Sequence, residues 1–160
     1  RSDRLDLTAR PDDPCEAYDP AMNERHTGSE SDDVDVVRAI YSAMADADIA
    51  RLFELLDAEC IVDQDARLPW GGRYIGHDGF ADFGLRLRRH IESTVTTSAL
   101  FAADCDVIQV GRTAGRTIDT RTQFDIDEVH RWTIRDGRAV AAHFSIDTPA
   151  MLRALGACAG

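Results

Sequence analysis

The chain has 160 residues, with 29 acidic and 18 basic side chains and a formal net charge of −11. All 18 cations are arginine, which excludes Schiff-base and P-loop chemistry, since both need a lysine amine. The acidic balance excludes a nucleic-acid partner and an anionic-membrane partner, which require clustered positive charge, and no apolar run reaches the roughly 18 residues of a transmembrane helix.

Residues 1–30 read as an irregular N-terminal tail. Eight acids, four arginines and Pro11, Pro14 and Pro20 oppose a helix, and Tyr18 is the sole aromatic. No signal-peptide core is visible there. Residues 31–156 are expected to form one domain.

That domain opens on a helix. Ser29, Ser31 and Asp32 are candidate caps, and Val34, Val37, Ile40, Tyr41 and Met44 recur at helical spacing. Asp48 caps a second helix with an Ile49, Leu52, Phe53, Leu55 and Leu56 stripe. Residues 59–65 read as a short strand, and Leu68-Pro69-Trp70-Gly71-Gly72 as a turn. A third helix follows Gly76, with Phe80, Phe83, Leu87 and Ile91 on one face. Strands are expected over 94–103, 106–112, 116–124, 127–134 and 139–146. The last two are joined by the hairpin signal Arg135-Asp136-Gly137-Arg138. Thr148-Pro149 opens a short terminal helix. Helices first and consecutive strands afterwards imply an α+β fold: a curved antiparallel sheet closed into a cone by helices. The open end of such a cone is a small-molecule pocket.

Cys15, Cys60, Cys105 and Cys158 are widely spaced, with no CxxC pair. They read as idle thiols of a reducing compartment, hence a cytoplasmic protein, and not as a zinc site. The several Asp-x-Asp pairs are expected in so acidic a chain, and no metal is assigned to them.

Three stretches carry a family resemblance. They are Val37 to Asp48 followed by Leu52-Phe53, then Trp70-Gly71-Gly72-Arg73-Tyr74-Ile75-Gly76-His77-Asp78-Gly79, and the hairpin His130 to Val140. Together they resemble the NTF2-like superfamily, and within it the SnoaL-like polyketide cyclases and ketosteroid-isomerase-like proteins. The resemblance covers about residues 33–155. It implies a cone with three N-terminal helices on the concave face of the sheet, and a homodimer through the outer face. It also implies chemistry on a small hydrophobic molecule with no metal or organic cofactor. The isomerases' catalytic set is not reproduced. Their aspartate base falls on Gln64, flanked by Asp63 and Asp65; their tyrosine falls on Ile40, beside Tyr41; their acidic donor falls on His130. The Asp-Arg-Asp set of the epoxide-hydrolase branch falls on Phe144, Gly111 and Thr113, so that reaction is disfavoured.

Strand parity singles out His130 independently. Glu128, His130, Trp132 and Ile134 share one face, and the apolar pair carries His130 inward. There it is a candidate general base, or a donor to a carbonyl oxygen becoming an enolate; the competing reading is a buried histidine bonded to backbone. Asp63 or Asp65 is expected to act with it, although both point outward if Val62 faces in, and Gln64 then faces in too. Trp70 and Tyr74 are read as a lid over a planar ligand or as a core plug. Gln64, Tyr41, Trp70, Tyr74, Phe83, Trp132 and Phe144 are the candidate substrate contacts. Two functions compete: a cofactor-independent acid/base enzyme on a small carbonyl compound, and a non-catalytic ligand-binding or dimerisation module.

Overall fold

The structure, a computed structural model, describes residues 29–157. The reading of residues 1–30 as a tail therefore falls almost wholly outside the described residues. The first helix, α1 (Glu30–Ala45), starts at Ser29, whose hydroxyl accepts from the Asp32 amide while the Asp32 carboxylate accepts from the Ser29 amide. This reciprocal capping satisfies two backbone donors that the helix leaves unpaired. The second helix, α2 (Ile49–Leu55), is capped by Asp48 as expected. It gives way directly to β1 (Leu56–Gln64), three residues earlier than the sequence suggests.

The chain then makes β2 (Gly72–Ile75), α3 (Gly76–His90), β3 (Ile91–Ala103), β4 (Asp106–Thr117), β5 (Gln123–Arg135), β6 (Arg138–Ile146) and α4 (Thr148–Ala154). The two expected strands 106–112 and 116–124 are one strand to Thr117 and a separate β5 from Gln123. Gly111 and Gly115 permit this continuity. A Cβ at Gly111 would lie 2.1 Å from the Thr96 carbonyl oxygen, and one at Gly115 would lie 1.9 Å from that of Glu92. Only glycine lets β4 stay this close to β3.

The six strands form one curved, unclosed sheet in the order β2-β1-β6-β5-β4-β3. All neighbours are antiparallel except β1 and β6, which run parallel. α1 packs across β3 to β6 and α3 across β1 to β3, so both helices cover one face of the sheet. The core lies between: Val37, Ile40, Val62, Trp70, Trp132, Ile134 and Met151 are all fully buried. Among the described residues no helix is long and apolar enough to cross a membrane.

Cys60 is a buried free thiol, pushed up to about 12 by burial and the nearby Asp57. Cys105 departs from the idle-thiol reading: it is disulfide-bonded. Cys15 and Cys158 lie outside the described residues.

Candidate active site

Cross-strand register builds the site. Gln109 on β4 pairs with His130 on β5, His130 with Phe144 on β6, and Phe144 with Gln64 on β1. Directly paired residues share a face, so one transverse row of the inner face reads Gln109, His130, Phe144, Gln64. All four are buried. Two residues before His130, the pleat brings Glu128 to the same face; two residues after, it brings Trp132.

His130 joins two hydrogen-bonded pairs, bonded to Tyr41 on one side and in contact with Glu128 on the other. Tyr41, from α1, sits with its hydroxyl 2.7 Å from His130 Nδ1. Trp132 Nε1 donates to that same hydroxyl oxygen at 3.0 Å. The indole N–H occupies an acceptor site on the oxygen, so the Tyr41 proton points at Nδ1. With Nδ1 accepting from Tyr41, the tautomer assigned to His130 has its proton on Nε2. Nε2 lies 3.4 Å from Glu128 Oε2, and Glu128 Oε1 accepts from Gln109 Nε2 at 3.1 Å. Gln109 Nε2 also reaches the Thr97 hydroxyl at 3.4 Å, while its Oε1 has no partner.

Burial sets the charge states. Glu128 is 3% exposed, and desolvation pushes its carboxyl up to about 7 against the lowering effect of the Gln109 bond. Desolvation, helped by the charge of His143, pushes His130 down to about 3. Desolvation likewise raises Tyr41 above its ordinary range, so it stays a neutral donor. Near neutral pH, then, the imidazole is uncharged and the group that exchanges a proton is Glu128. This is the range in which a general acid or base works best.

The raised carboxyl also makes a stability statement. A folded pKa of about 7 against an ordinary 4.5 means that stability is fully present below 4.5 and is lost as pH rises through 7. The loss integrates to about 3 kcal/mol above pH 8. Glu128→Gln removes it. Urea unfolding is expected to show the variant gaining about 3 kcal/mol on the wild type between pH 4 and pH 8; equal pH dependence in the two proteins contradicts the burial of an ionisable Glu128.

The structure does not bring Asp63 or Asp65 to this cluster. Asp63 pairs in register with His143, which pairs with Arg131, on the face opposite His130. Arg73 grips its carboxylate at 2.9 and 3.0 Å. Asp65 is clamped by Arg67, whose hydrogen bonds hold its carboxyl at about 2. The carboxylate beside His130 is Glu128. The sequence places Glu128 on the correct face without assigning it a role; its signal is the alternation Glu128-x-His130-x-Trp132, an acid at an inward strand position.

The aromatic residues divide. Phe144 lies 4.5 Å from His130 and 5.3 Å from Trp132 between ring centroids, and Phe83 of α3 packs on Phe144 at 5.5 Å. These three line the row. Trp70 is fully buried and Tyr74 is 8% exposed, so neither is a mobile lid. Tyr74 donates to the Trp70 carbonyl at 2.6 Å, and Trp70 Nε1 donates to Gln64 Oε1 at 2.9 Å. A separate cleft of about 680 Å³ runs over Glu92, Thr94, Arg116, Gln123 and Asp125. Its Arg116 is ion-paired with Glu92, and it holds no buried acid/base pair.

The profile of the SnoaL-like domain family matches residues 37–142, two thirds of the chain. The chain belongs to the SnoaL-like domain family. Its solved structural neighbours share the fold. An NTF2-like protein from Burkholderia xenovorans LB400 superposes with a TM-score of 0.73 at 24% identity, over 79% of this chain and 98% of that one. TerC, co-crystallised with polyporic acid, gives 0.71 at 21% identity, over 78% and 98%. A protein of ketosteroid isomerase-like fold from Catenulispora acidiphila DSM 44928, in complex with trimethylamine, gives 0.65 at 18% identity, over 76% and 92%. No curated protein matches the chain in sequence. A SnoaL-like domain hosts many chemistries, so the family alone does not set the activity; the residues of the site do.

Proposed function

We propose that this SnoaL-like domain is a cofactor-independent acid/base enzyme acting on a small hydrophobic carbonyl compound, in the manner of a polyketide cyclase or isomerase. The observation that carries the reading is the buried chain Trp132–Tyr41–His130–Glu128–Gln109, which holds one titratable carboxyl near neutrality against apolar walls. Glu128 removes a proton from carbon next to, or conjugated with, the carbonyl. The C–H electron pair moves onto the carbonyl oxygen as the enolate forms, and the proton resides on Glu128 until it is returned. His130 stays neutral and orients the carboxylate through Nε2–H. Tyr41 fixes that tautomer. Binding of a small organic molecule to TerC is a property of that protein, and it supports a ligand-holding use of the same fold.

The test is deuterium exchange from solvent into cyclic ketones, 2-tetralone and 3-methylcyclohex-2-enone, followed by mass spectrometry. Exchange is expected to rise with pH through an inflection near 7 and then level, because the base must be ionised. Asp63→Asn and Asp65→Asn are expected to leave it within about twofold of wild type, since a surface pair contributes little. Binding with no catalysed exchange at any pH supports instead the ligand-binding module.

The proposed homodimer uses the outer face. There Val110 and Val129 are paired in register, and Phe101 lies nearby on β3; all three are exposed. Sedimentation of the full chain at twice the single-chain mass, reduced to one by Val129→Asp, is the expected result. A bonded Cys105 is at odds with the idle thiols of a reducing compartment on which the cytoplasmic expectation rests.

A further inference from the structure

Protonation of Glu128 leaves its new O–H without an acceptor. The two groups nearest its carboxyl both donate: Gln109 Nε2 lies 3.1 Å from Oε1, and His130 Nε2 lies 3.4 Å from Oε2. A carboxylate suits two donors. A carboxylic acid needs an acceptor as well, and Glu128 is too buried to find one in water. Gln109 can turn its amide and offer Oε1, which is buried with no partner. That turn takes Nε2 away from both its acceptors, Glu128 and the Thr97 hydroxyl, and strands two N–H donors on a fully buried side chain.

The imidazole offers the better exchange. With its proton on Nδ1, Nε2 becomes the acceptor that Glu128 lacks, and Nδ1–H donates to the Tyr41 oxygen 2.7 Å away. That oxygen already accepts from Trp132 Nε1 at 3.0 Å, and an indole only donates. Both acceptor sites of the Tyr41 oxygen are then filled, so its O–H swings off the ring. Tyr41 is only partly buried, which makes its hydroxyl the least costly donor to release. The balance is one proton taken up. It enters at the Tyr41 oxygen, the Tyr41 proton passes to Nδ1, and the Nε2 proton passes to Glu128 Oε2.

We infer that Tyr41 and His130 form a two-state switch set by the charge of Glu128. With Glu128 ionised, Tyr41 donates to Nδ1 and the ring proton sits on Nε2; with Glu128 protonated, the ring proton sits on Nδ1 and the Tyr41 hydroxyl is released. This goes beyond the proposed reaction and holds equally for a domain that only binds a ligand. Burial pushes His130 down to about 3 and lifts Glu128 to about 7, so near neutrality the ring changes its tautomer and keeps its charge. Few other charges act on the pair. α1 brings Tyr41, β4 brings the neutral Gln109, and β6 brings Phe144, with His143 on the opposite face of the sheet. Asp127 and Arg131 of β5 itself are exposed on that opposite face.

The test is NMR of the full chain with ¹⁵N-labelled histidine, in which a ring nitrogen that bears a proton resonates far from one that does not. The chain has five histidines, and His130→Gln assigns the signal. The wild type is expected to carry the proton on Nε2 at about pH 8.5 and on Nδ1 at about pH 5.5, the two nitrogens exchanging shifts through a midpoint near 7. Glu128→Gln has no carboxyl to titrate and is expected to hold one tautomer across this range. Should that variant not fold, the wild-type midpoint decides alone: it must coincide with the inflection of the Glu128 carboxyl carbon. A His130 that keeps its tautomer while Glu128 titrates overturns the switch; Gln109 side-chain amide shifts that move instead assign the turn to that residue. Protons on both ring nitrogens near pH 7 overturn it too. Absence of any Glu128 titration in this range removes the switch and the acid/base reading together. A switch seen without catalysed ketone exchange removes the proposed activity and leaves this inference standing.

Discussion

Glu128→Gln is expected to lower deuterium exchange into a cyclic ketone by about 10²–10⁴-fold, the usual worth of one positioned acid or base. The substitution is nearly isosteric. The new amide oxygen can still accept from Gln109 Nε2, which lies 3.1 Å from Glu128 Oε1. Packing against Gln109 is therefore kept, but the amide nitrogen then faces His130 Nε2 in place of Oε2, so the proton acceptor is removed and the contact with the imidazole is weakened as well. The residual activity should also lose its inflection near 7, because no other group in the buried chain titrates there. Burial holds His130 neutral down to about 3 and keeps Tyr41 protonated. A variant that keeps wild-type exchange and the same pH profile contradicts the assignment. His130→Gln is the informative companion. It preserves a polar side chain but removes the fixed Nε2 donor, so a partial loss with the inflection moved, and not abolished, fits a positioning role.

Trp132→Ala is expected to cost about 3–5 kcal/mol of folding stability, the range for deleting a buried large aromatic side chain. Three losses coincide there. The indole is fully buried, so a cavity opens between α1 and the sheet. Its edge contacts with Tyr41 and Phe144, at 5.9 and 5.3 Å between centroids, disappear. Its N–H no longer donates to the Tyr41 hydroxyl, which frees that hydroxyl to turn away from His130. Against a typical native stability of about 5–15 kcal/mol, urea unfolding should show a large fall in the midpoint. Trp132→Phe keeps most of the ring and is expected to cost only about 1–2 kcal/mol, chiefly the lost hydrogen bond. Equal stability of Trp132→Ala and wild type would place the indole outside the core.

The fold was largely legible because its signals are local. Helical spacing from Val34 to Met44, the Asp48 cap and the Asp136-Gly137 turn each specify an element without help from distant residues. Strand limits were less legible where a glycine serves the neighbouring strand: Gly111 and Gly115 look like interruptions, and their reason lies on β3. The parallel β1–β6 pair is likewise a property of the assembled sheet and has no local signature.

The site divides on the same principle. Alternation along β5 identified His130 as inward, and parity in β1 set Gln64 inward with Asp63 outward. What alternation cannot tell is which acid meets the histidine. Asp63 and Asp65 stand beside the family's base position, but each has an arginine within a few residues along the chain or across the hairpin, and exposed ion pairs satisfied them. Glu128 has no such partner and is buried at a strand position, so it kept its proton affinity. Trp70 lies in a glycine-rich turn that resembles a lid in sequence and Tyr74 in the short strand after it, but both pack into the core, with two hydrogen bonds satisfying the polar atoms that burial takes from water.

The central claim is that a buried Glu128 shares its environment with a neutral His130 and exchanges its proton near neutral pH. A pH titration of the Glu128 side-chain carboxyl carbon by ¹³C NMR, assigned with Glu128→Gln, measures this directly. An inflection near 7 is the expected result. An inflection near the ordinary glutamate value of 4.5 contradicts it and removes the basis for acid/base chemistry at this site.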